Sequence, residues 1–229
     1  MASPLDLQEQ EQVDQLKAFW KQYGNLITWT LILALGGFAA WNGWNLWQRD
    51  QAGKASAMFS ELERVARAAD AERSGRVFSD LKERFPRTTY TEHAALLAAK
   101  VQADKGQTDA ALASLGWLSD NGSDDELRQI ARLRAAGLLM EKKQYDAALA
   151  QLDAAAQGKA AQEFEALISD RRGDVLLAQG KKDEARKAFE AAYKAIDDKL
   201  EYRRLIDAKL TALGAAPAAA SAAASGAAQ

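Results

Sequence analysis

From Gln22 to Gln48 the chain carries no charged residue, and Lys21 and Arg49 close the run on either side. A helix rising about 1.5 Å per residue covers roughly 40 Å over such a stretch, more than the ~30 Å of a bilayer's hydrocarbon core. Its apolar centre reads Leu26, Ile27, Trp29, Leu31, Ile32, Leu33, Leu35 and Phe38. Trp20 and Tyr23 sit at one end, and Trp41, Trp44 and Trp47 at the other. Amphipathic rings at both ends suit a membrane interface, where the ring body stays apolar and its polar edge stays wet. The run therefore predicts a transmembrane helix over 23–48 that takes the lipid bilayer as its solvent. A cleaved signal peptide needs a basic leader, whereas the preceding segment sets Asp6, Glu9, Glu11 and Asp14 against Lys17 and Lys21. A buried helix of a soluble core does not suit an uncharged run of this length with tryptophans along it.

Within the span, Gly36 with Ala40 and Ala39 with Gly43 repeat a small residue every four positions. Such pairs let two membrane helices approach closely, which makes these four residues a candidate helix contact. Charge bias offers little on orientation. Lys17 and Lys21 precede the span, while Arg49, Lys54, Arg64 and Arg67 follow it, so the count does not favour a cytoplasmic N-terminus.

Downstream of the anchor the chain is rich in Ala, Leu and charges of both signs, a helix-forming composition. An internal repeat organises it. Lys105-Gly106-Gln107-Thr108-Asp109-Ala110-Ala111-Leu112 aligns with Lys142-Lys143-Gln144-Tyr145-Asp146-Ala147-Ala148-Leu149, and both align with Gln179-Gly180-Lys181-Lys182-Asp183-Glu184-Ala185-Arg186. The spacing is 37 residues each time, and Phe78, Leu115, Leu152 and Phe189 follow the same register. Gly106 and Gly180 mark a turn between two helices, Ala111, Ala148 and Ala185 a small site in the second helix, and Ala99, Ala136 and Gly173 a small site in the first. This resembles the tetratricopeptide pattern, with Pro86 in the place of a closing proline. It departs from that pattern in period, which is usually about 34 residues, and in the missing aromatic near the start of the first helix, where Ala95, Arg132 and Ser169 stand.

The fold expected is all-α: one N-terminal transmembrane helix, then a tetratricopeptide-like α-solenoid of about four helix pairs plus a capping helix near Leu200 to Leu213. The divisions are a short N-terminal segment over 1–22, the span over 23–48, the repeat domain over 49–213, and a disordered Ala-rich tail over 214–229. Thr89 with Glu92 and Ser123 with Glu126 have capping-box spacing, and Gly106, Asn121-Gly122, Gly158 and Gly180 mark helix stops.

Little in the chain suggests chemistry. It has no cysteine and one histidine, His93, with no nucleophile or ligand at useful spacing. No phosphate-cradling glycine loop occurs, and Asp170, Asp174, Asp197 and Asp198 do not make a calcium loop. The net charge of −2, well mixed, leaves no footprint for nucleic acid. No cofactor or metal is expected, and the chain reads as a non-enzyme. What remains is a surface. The first helices of stacked pairs line a groove able to hold a peptide or a partner helix. In register, that groove comprises His93, Leu96, Lys100, Ile130, Leu133, Arg134, Leu167, Asp170, Arg171 and Asp174.

The order of parts resembles the YfgM-type ancillary subunit of the bacterial SecYEG translocon. The resemblance rests on Gln8-Glu9-Gln10-Glu11-Gln12-Val13-Asp14-Gln15-Leu16-Lys17, on Phe19-Trp20-Lys21-Gln22-Tyr23-Gly24-Asn25, on the span ending Trp41-Asn42-Gly43-Trp44, and on Phe85-Pro86 and Gly180-Lys181 with Glu184-Ala185 in the repeats. It implies a single-pass protein of the bacterial inner membrane, with its N-terminus cytoplasmic and its repeats periplasmic. It further implies association with SecYEG and with a membrane-anchored periplasmic chaperone of the prolyl-isomerase type. Such a protein would help translocating polypeptides pass from the translocon to periplasmic folding factors. The alternatives are a membrane-tethered repeat scaffold for another envelope assembly, or a stress-response regulator.

Overall fold

The computed structural model describes residues 7–197 and 201–214. The chain divides into two compact units, Met1–Gln51 and Ala52–Gln229. Among the described residues there are helices and no strands. The capping helix expected from Leu200 runs instead over Tyr202–Ala212, and residues 198–200 lie outside the described residues, as do 1–6 and the Ala-rich stretch from 215.

The first unit consists of helix α1 (Leu7–Arg67) up to Gln51. Its apolar window is 6% buried, so its side chains have no protein core to enter. Trp20, Trp29, Trp41, Trp44 and Trp47 are all at least half exposed. Phe19 stacks near Tyr23 at 5.1 Å, and Trp44 near Trp47 at 5.1 Å, one aromatic pair at each end of the run. Thr28 Oγ1 donates to Gly24 O at 2.7 Å and Thr30 Oγ1 to Leu26 O at 2.8 Å. Those hydroxyls are satisfied by their own helix, as a non-aqueous surrounding requires. This is the one helix among the described residues long and apolar enough to cross a membrane.

The second unit starts with the remainder of α1 and continues as α2 (Ala71–Arg84), α3 (Thr89–Asp104), α4 (Thr108–Asn121), α5 (Asp125–Glu141), α6 (Tyr145–Ala156), α7 (Glu165–Ala178), α8 (Lys182–Ala195) and α9 (Tyr202–Ala212). The end of α1 with α2, α3 with α4, α5 with α6, and α7 with α8 make four pairs, each a leading helix followed by a trailing one. The leading helices lie side by side, α3 against α5 and α5 against α7.

The turn inside every pair has the same physical form. Ala69, Gly106, Lys143 and Gly180 stand 37 residues apart and have φ of 53°, 75°, 59° and 81°. Each follows a leading helix with a left-handed residue that reverses the chain, the arrangement of a Schellman stop. The outer bond runs from Asp70 N to Val65 O, Gln107 N to Gln102 O, Gln144 N to Leu139 O, and Lys181 N to Leu176 O, at 3.3, 2.8, 2.9 and 2.9 Å. Glycine enters that conformation without a Cβ penalty, so two of the four turns are relaxed and two carry a side chain where none is favoured.

Packing follows the same period. Ser74, Ala111, Ala148 and Ala185 are fully buried in the trailing helices, with Phe78, Leu115, Leu152 and Phe189 one turn later at 4% exposure or less. Opposite them, Ala99, Ala136 and Gly173 are buried in the leading helices. Large and small are matched: where the trailing helix carries leucine the leading helix carries alanine, and where it carries Phe189 the leading helix has Gly173. A Cβ built on Gly173 falls 2.4 Å from Phe189 Cε1. Leu62 in α1 and Leu210 in α9 occupy the same register at the two ends. Three apolar clusters follow one another along the stack, the first reaching from Ala55 to Ala135, the next through α5, α6 and α7, and the last through α7, α8 and α9.

Two helix starts differ from expectation by one residue. Thr88, not Thr89, caps α3 by accepting from Thr91 N. Asp124, not Ser123, caps α5, its Oδ1 accepting from Glu126 N at 2.8 Å and Leu127 N at 3.1 Å. A carboxylate answers the positive helix terminus better than a hydroxyl. Glu92 is drawn elsewhere: it is 1% exposed, and its Oε1 accepts from Ser123 N at 2.6 Å and Ser123 Oγ at 2.5 Å. A residue expected to cap its own helix thus ties α3 to the loop before α5.

Gly173→Ala is expected to cost about 1–3 kcal/mol by overpacking against Phe189, read from urea unfolding. Adding Phe189→Leu, which recreates the Ala136 and Leu152 pairing, should return most of that loss. If the double variant is no more stable than Gly173→Ala alone, the size-matching account fails. Lys143→Gly should stabilise the domain by about 0.5–1 kcal/mol by relieving the left-handed turn, seen as a raised Tm.

Candidate functional site

The groove residues predicted from register do not share one environment. His93 and Lys100 are exposed on α3, with Lys100 Nζ 2.5 Å from Asp104 Oδ2. Leu96 points into the first core cluster and is only 8% exposed. On α5, Ile130 and Leu133 are half-buried against the cores, while Arg134 is exposed and its Nη1 donates to Leu96 O at 3.5 Å. On α7, Leu167 is exposed, and Arg171 lies half-buried, with Nη1 3.7 Å from where a Cβ on Gly137 would stand. The open part of this face is therefore His93, Lys100, Arg134, Leu167 and part of Arg171. Beside Lys100 a cavity of about 310 Å³ opens between the end of α1 and α3, with Leu97 and Val101 among its apolar walls and Glu63, Arg67 and Asp104 at its charged ones.

Asp170 and Asp174 have a different environment. Asp170 is 3% exposed and accepts from Tyr202 Oη at 2.6 Å and from Lys209 Nζ at 2.8 and 2.9 Å. Asp174 Oδ1 accepts from the same Lys209 Nζ at 2.7 Å. Both carboxylates thus serve to hold α9 against α7. Lys209 also lies 5.1 Å over the Phe189 ring, and Arg203 3.9 Å over Tyr193. Burial first, and then the bond to Asp170, raise the Tyr202 phenol well above its usual range, so it remains a donor at neutral pH. Tyr202 and Lys209 were not singled out from the sequence for this role. The one signal was a lysine set between the buried Ile206 and Leu210.

Among the described residues no group of three His, Asp or Glu side chains could hold a metal ion. Gly36, Ala39, Ala40 and Gly43 all lie exposed on α1, with open space over Gly36 and Gly43.

A stack of helix hairpins following an exposed apolar helix defines a helical repeat protein. The chain belongs to the tetratricopeptide repeat-like domain family, which matches residues 17–215 and so takes in the apolar run as well as the pairs. It is similar to an ancillary SecYEG translocon subunit of Haemophilus influenzae, 28% identical over 128 residues, which is 56% of this chain and 62% of that one. It is also similar to an ancillary SecYEG translocon subunit of Neisseria gonorrhoeae, 30% identical over 129 residues, with the same shares of 56% and 62%. The match thus spans less than two thirds of either relative's length. No solved structure matches the chain.

Lys209→Met leaves Asp170 buried with only Tyr202 as donor. The expected loss is about 2–3 kcal/mol, measured by urea unfolding, together with faster proteolysis after Tyr202. Unchanged stability and unchanged proteolysis would show that the Lys209 contacts do not hold α9.

Proposed function

We propose that this chain is a membrane-anchored protein-interaction module that associates with the SecYEG translocon. In this reading residues 23–48 cross the bacterial inner membrane once, 1–22 lie in the cytoplasm, the repeat domain over 49–213 lies in the periplasm, and 214–229 form a trailing tail. The observation that carries it is the similarity to two ancillary SecYEG translocon subunits in a chain whose apolar helix is 6% buried. A helix that exposes tryptophan, leucine and isoleucine along its length is stable only against lipid or another apolar partner.

The leading-helix face then receives polypeptides as they emerge. Its exposed side chains mix one aliphatic, Leu167, with His93, Lys100 and Arg134. Such a surface favours brief contacts with unfolded chains over tight capture, since few buried anchors are on offer. A membrane-anchored periplasmic chaperone of the prolyl-isomerase type is the proposed recipient of secreted and outer-membrane polypeptides. The role is that of a non-catalytic scaffold, and Gly36, Ala39, Ala40 and Gly43 are the proposed seat for a neighbouring membrane helix.

Photocrosslinking in native membranes tests this reading. Probes at the exposed His93 and Leu167, and at Gly36 in the span, should yield adducts with translocon subunits and with a periplasmic chaperone. Recovery of neither would sink the proposal. A C-terminal domain that resists protease in spheroplasts would defeat the periplasmic placement.

A further inference from the structure

We propose that the face of α1 just before the uncharged run binds the headgroup of an anionic phospholipid. This rests on the reading that residues 23–48 cross a bilayer. Leu16, Lys17, Trp20 and Lys21 line an open cleft on that face. The four lie together because residues three and four apart share one side of a helix. From Leu16 to Lys21 the axis rises about 7.5 Å, close to the roughly 5–8 Å of one headgroup layer. Lys21 closes the uncharged run, so the cleft stands where hydrocarbon gives way to headgroups.

The cleft is lined by two ammonium groups and no carboxylate. Lys17 Nζ lies 3.2 Å from Asp14 Oδ1, but these side chains are 72% and 75% exposed, and a pair so open to water is weak. Among the described residues no carboxylate pairs with Lys21. Two like charges four residues apart repel each other on a helix surface, and an anion set between them removes that cost. Side chains on a helix tilt toward its N-terminus, so Lys21 reaches outward over the turn of Lys17 and Trp20 and away from hydrocarbon.

Trp20 gives the site its shape. A Cβ built on Gly24 would fall 3.1 Å from Trp20 Nε1 and Cε2. The indole therefore lies along the helix over the bare Gly24 turn, and Gly24 is buried beneath it. An indole N–H can only donate, as can an ammonium, so all three polar groups of the cleft call for acceptor oxygens. A phosphodiester supplies them. Leu16 and Trp20, 67% and 59% exposed, add apolar surface that a small inorganic ion would leave wet and that a lipid's glycerol and ester region covers. A zwitterionic headgroup brings its own cation toward the lysines and is repelled by them. An anionic one brings none, and lysines beside a membrane favour it.

The test uses the full chain in a neutral detergent and native mass spectrometry, with dioleoylphosphatidylglycerol or dioleoylphosphatidylcholine added. The two lipids share their acyl chains, so a difference between them reports on the headgroup. Phosphatidylglycerol should be retained with a preference of at least about five-fold, and Lys21→Gln should lower its affinity about five-fold. Gly24→Leu, which displaces the indole and keeps both lysines, should weaken it several-fold. Arg49→Gln, at the far end of the run, should leave it unchanged. Equal retention of the two lipids, no effect of Lys21→Gln or Gly24→Leu, or an equal loss on Arg49→Gln would overturn the proposal. Displacement by glycerol 3-phosphate at the lipid's own concentration would overturn it in favour of a soluble phosphate ligand. A dimer lost on Lys21→Gln, in place of a lipid adduct, would overturn it in favour of a second copy. A chain that withstands carbonate washing of vesicles yet shows no lipid preference sinks this site alone, whereas one that is stripped sinks the membrane reading with it.

Discussion

Three of the four helix pairs in the second unit depend on a close crossing between a small residue in the leading helix and a large one in the trailing helix. A lone hairpin of this size leaves much of its apolar stripe in water, and stacking removes it. Stacking in turn needs helices close enough for side chains to interlock. Ala99, Ala136 and Gly173 provide that approach, with Leu115, Leu152 and Phe189 filling the space opposite. In the first pair the leading position is Leu62, which packs in one apolar cluster with Phe78 and Leu81 of α2. The cavity beside Lys100 opens between this end of α1 and α3.

The other end of the stack is closed by charge as much as by apolar contact. Ile206 and Leu210 put α9 where the leading helix of another pair would stand, and no trailing helix follows among the described residues. Lys209 and Tyr202 complete the seal by satisfying Asp170 and Asp174. A buried ion pair contributes little net stability compared with apolar packing, but it penalises wrong arrangements heavily, since a misplaced α9 would leave Asp170 buried and unpaired. The open part of the leading-helix face is thereby shortened to the portion running over α3, α5 and the start of α7.

The period of 37 residues, the turn positions and the buried aromatic and aliphatic ladder were all legible in the chain, because each depends on residues close in sequence. So was the apolar helix, whose uncharged run needs no tertiary knowledge to read. The groove was legible only in outline. Register placed Leu96, Leu133 and Asp170 as equivalents, yet Leu96 packs into a core, Leu133 sits half-buried, and Asp170 binds a later helix. Equivalent positions in a repeat share a direction, but what lies in that direction changes along the stack.

The sequence by itself determined the elements: one helix that no aqueous core could hide, and a series of hairpins whose small and large residues recur in step. Those properties follow from local propensity and from periodicity in hydropathy, which a linear string records completely. The tertiary structure alone decided the long-range polar pairings. Glu92 with Ser123, Asp170 with Lys209, and the meeting of Arg128, Arg132 and Gln129 with the loop at Gly158 each join residues far apart in the chain. A charged or amide side chain can choose among many partners at similar cost in the unfolded chain, and only packing removes all but one.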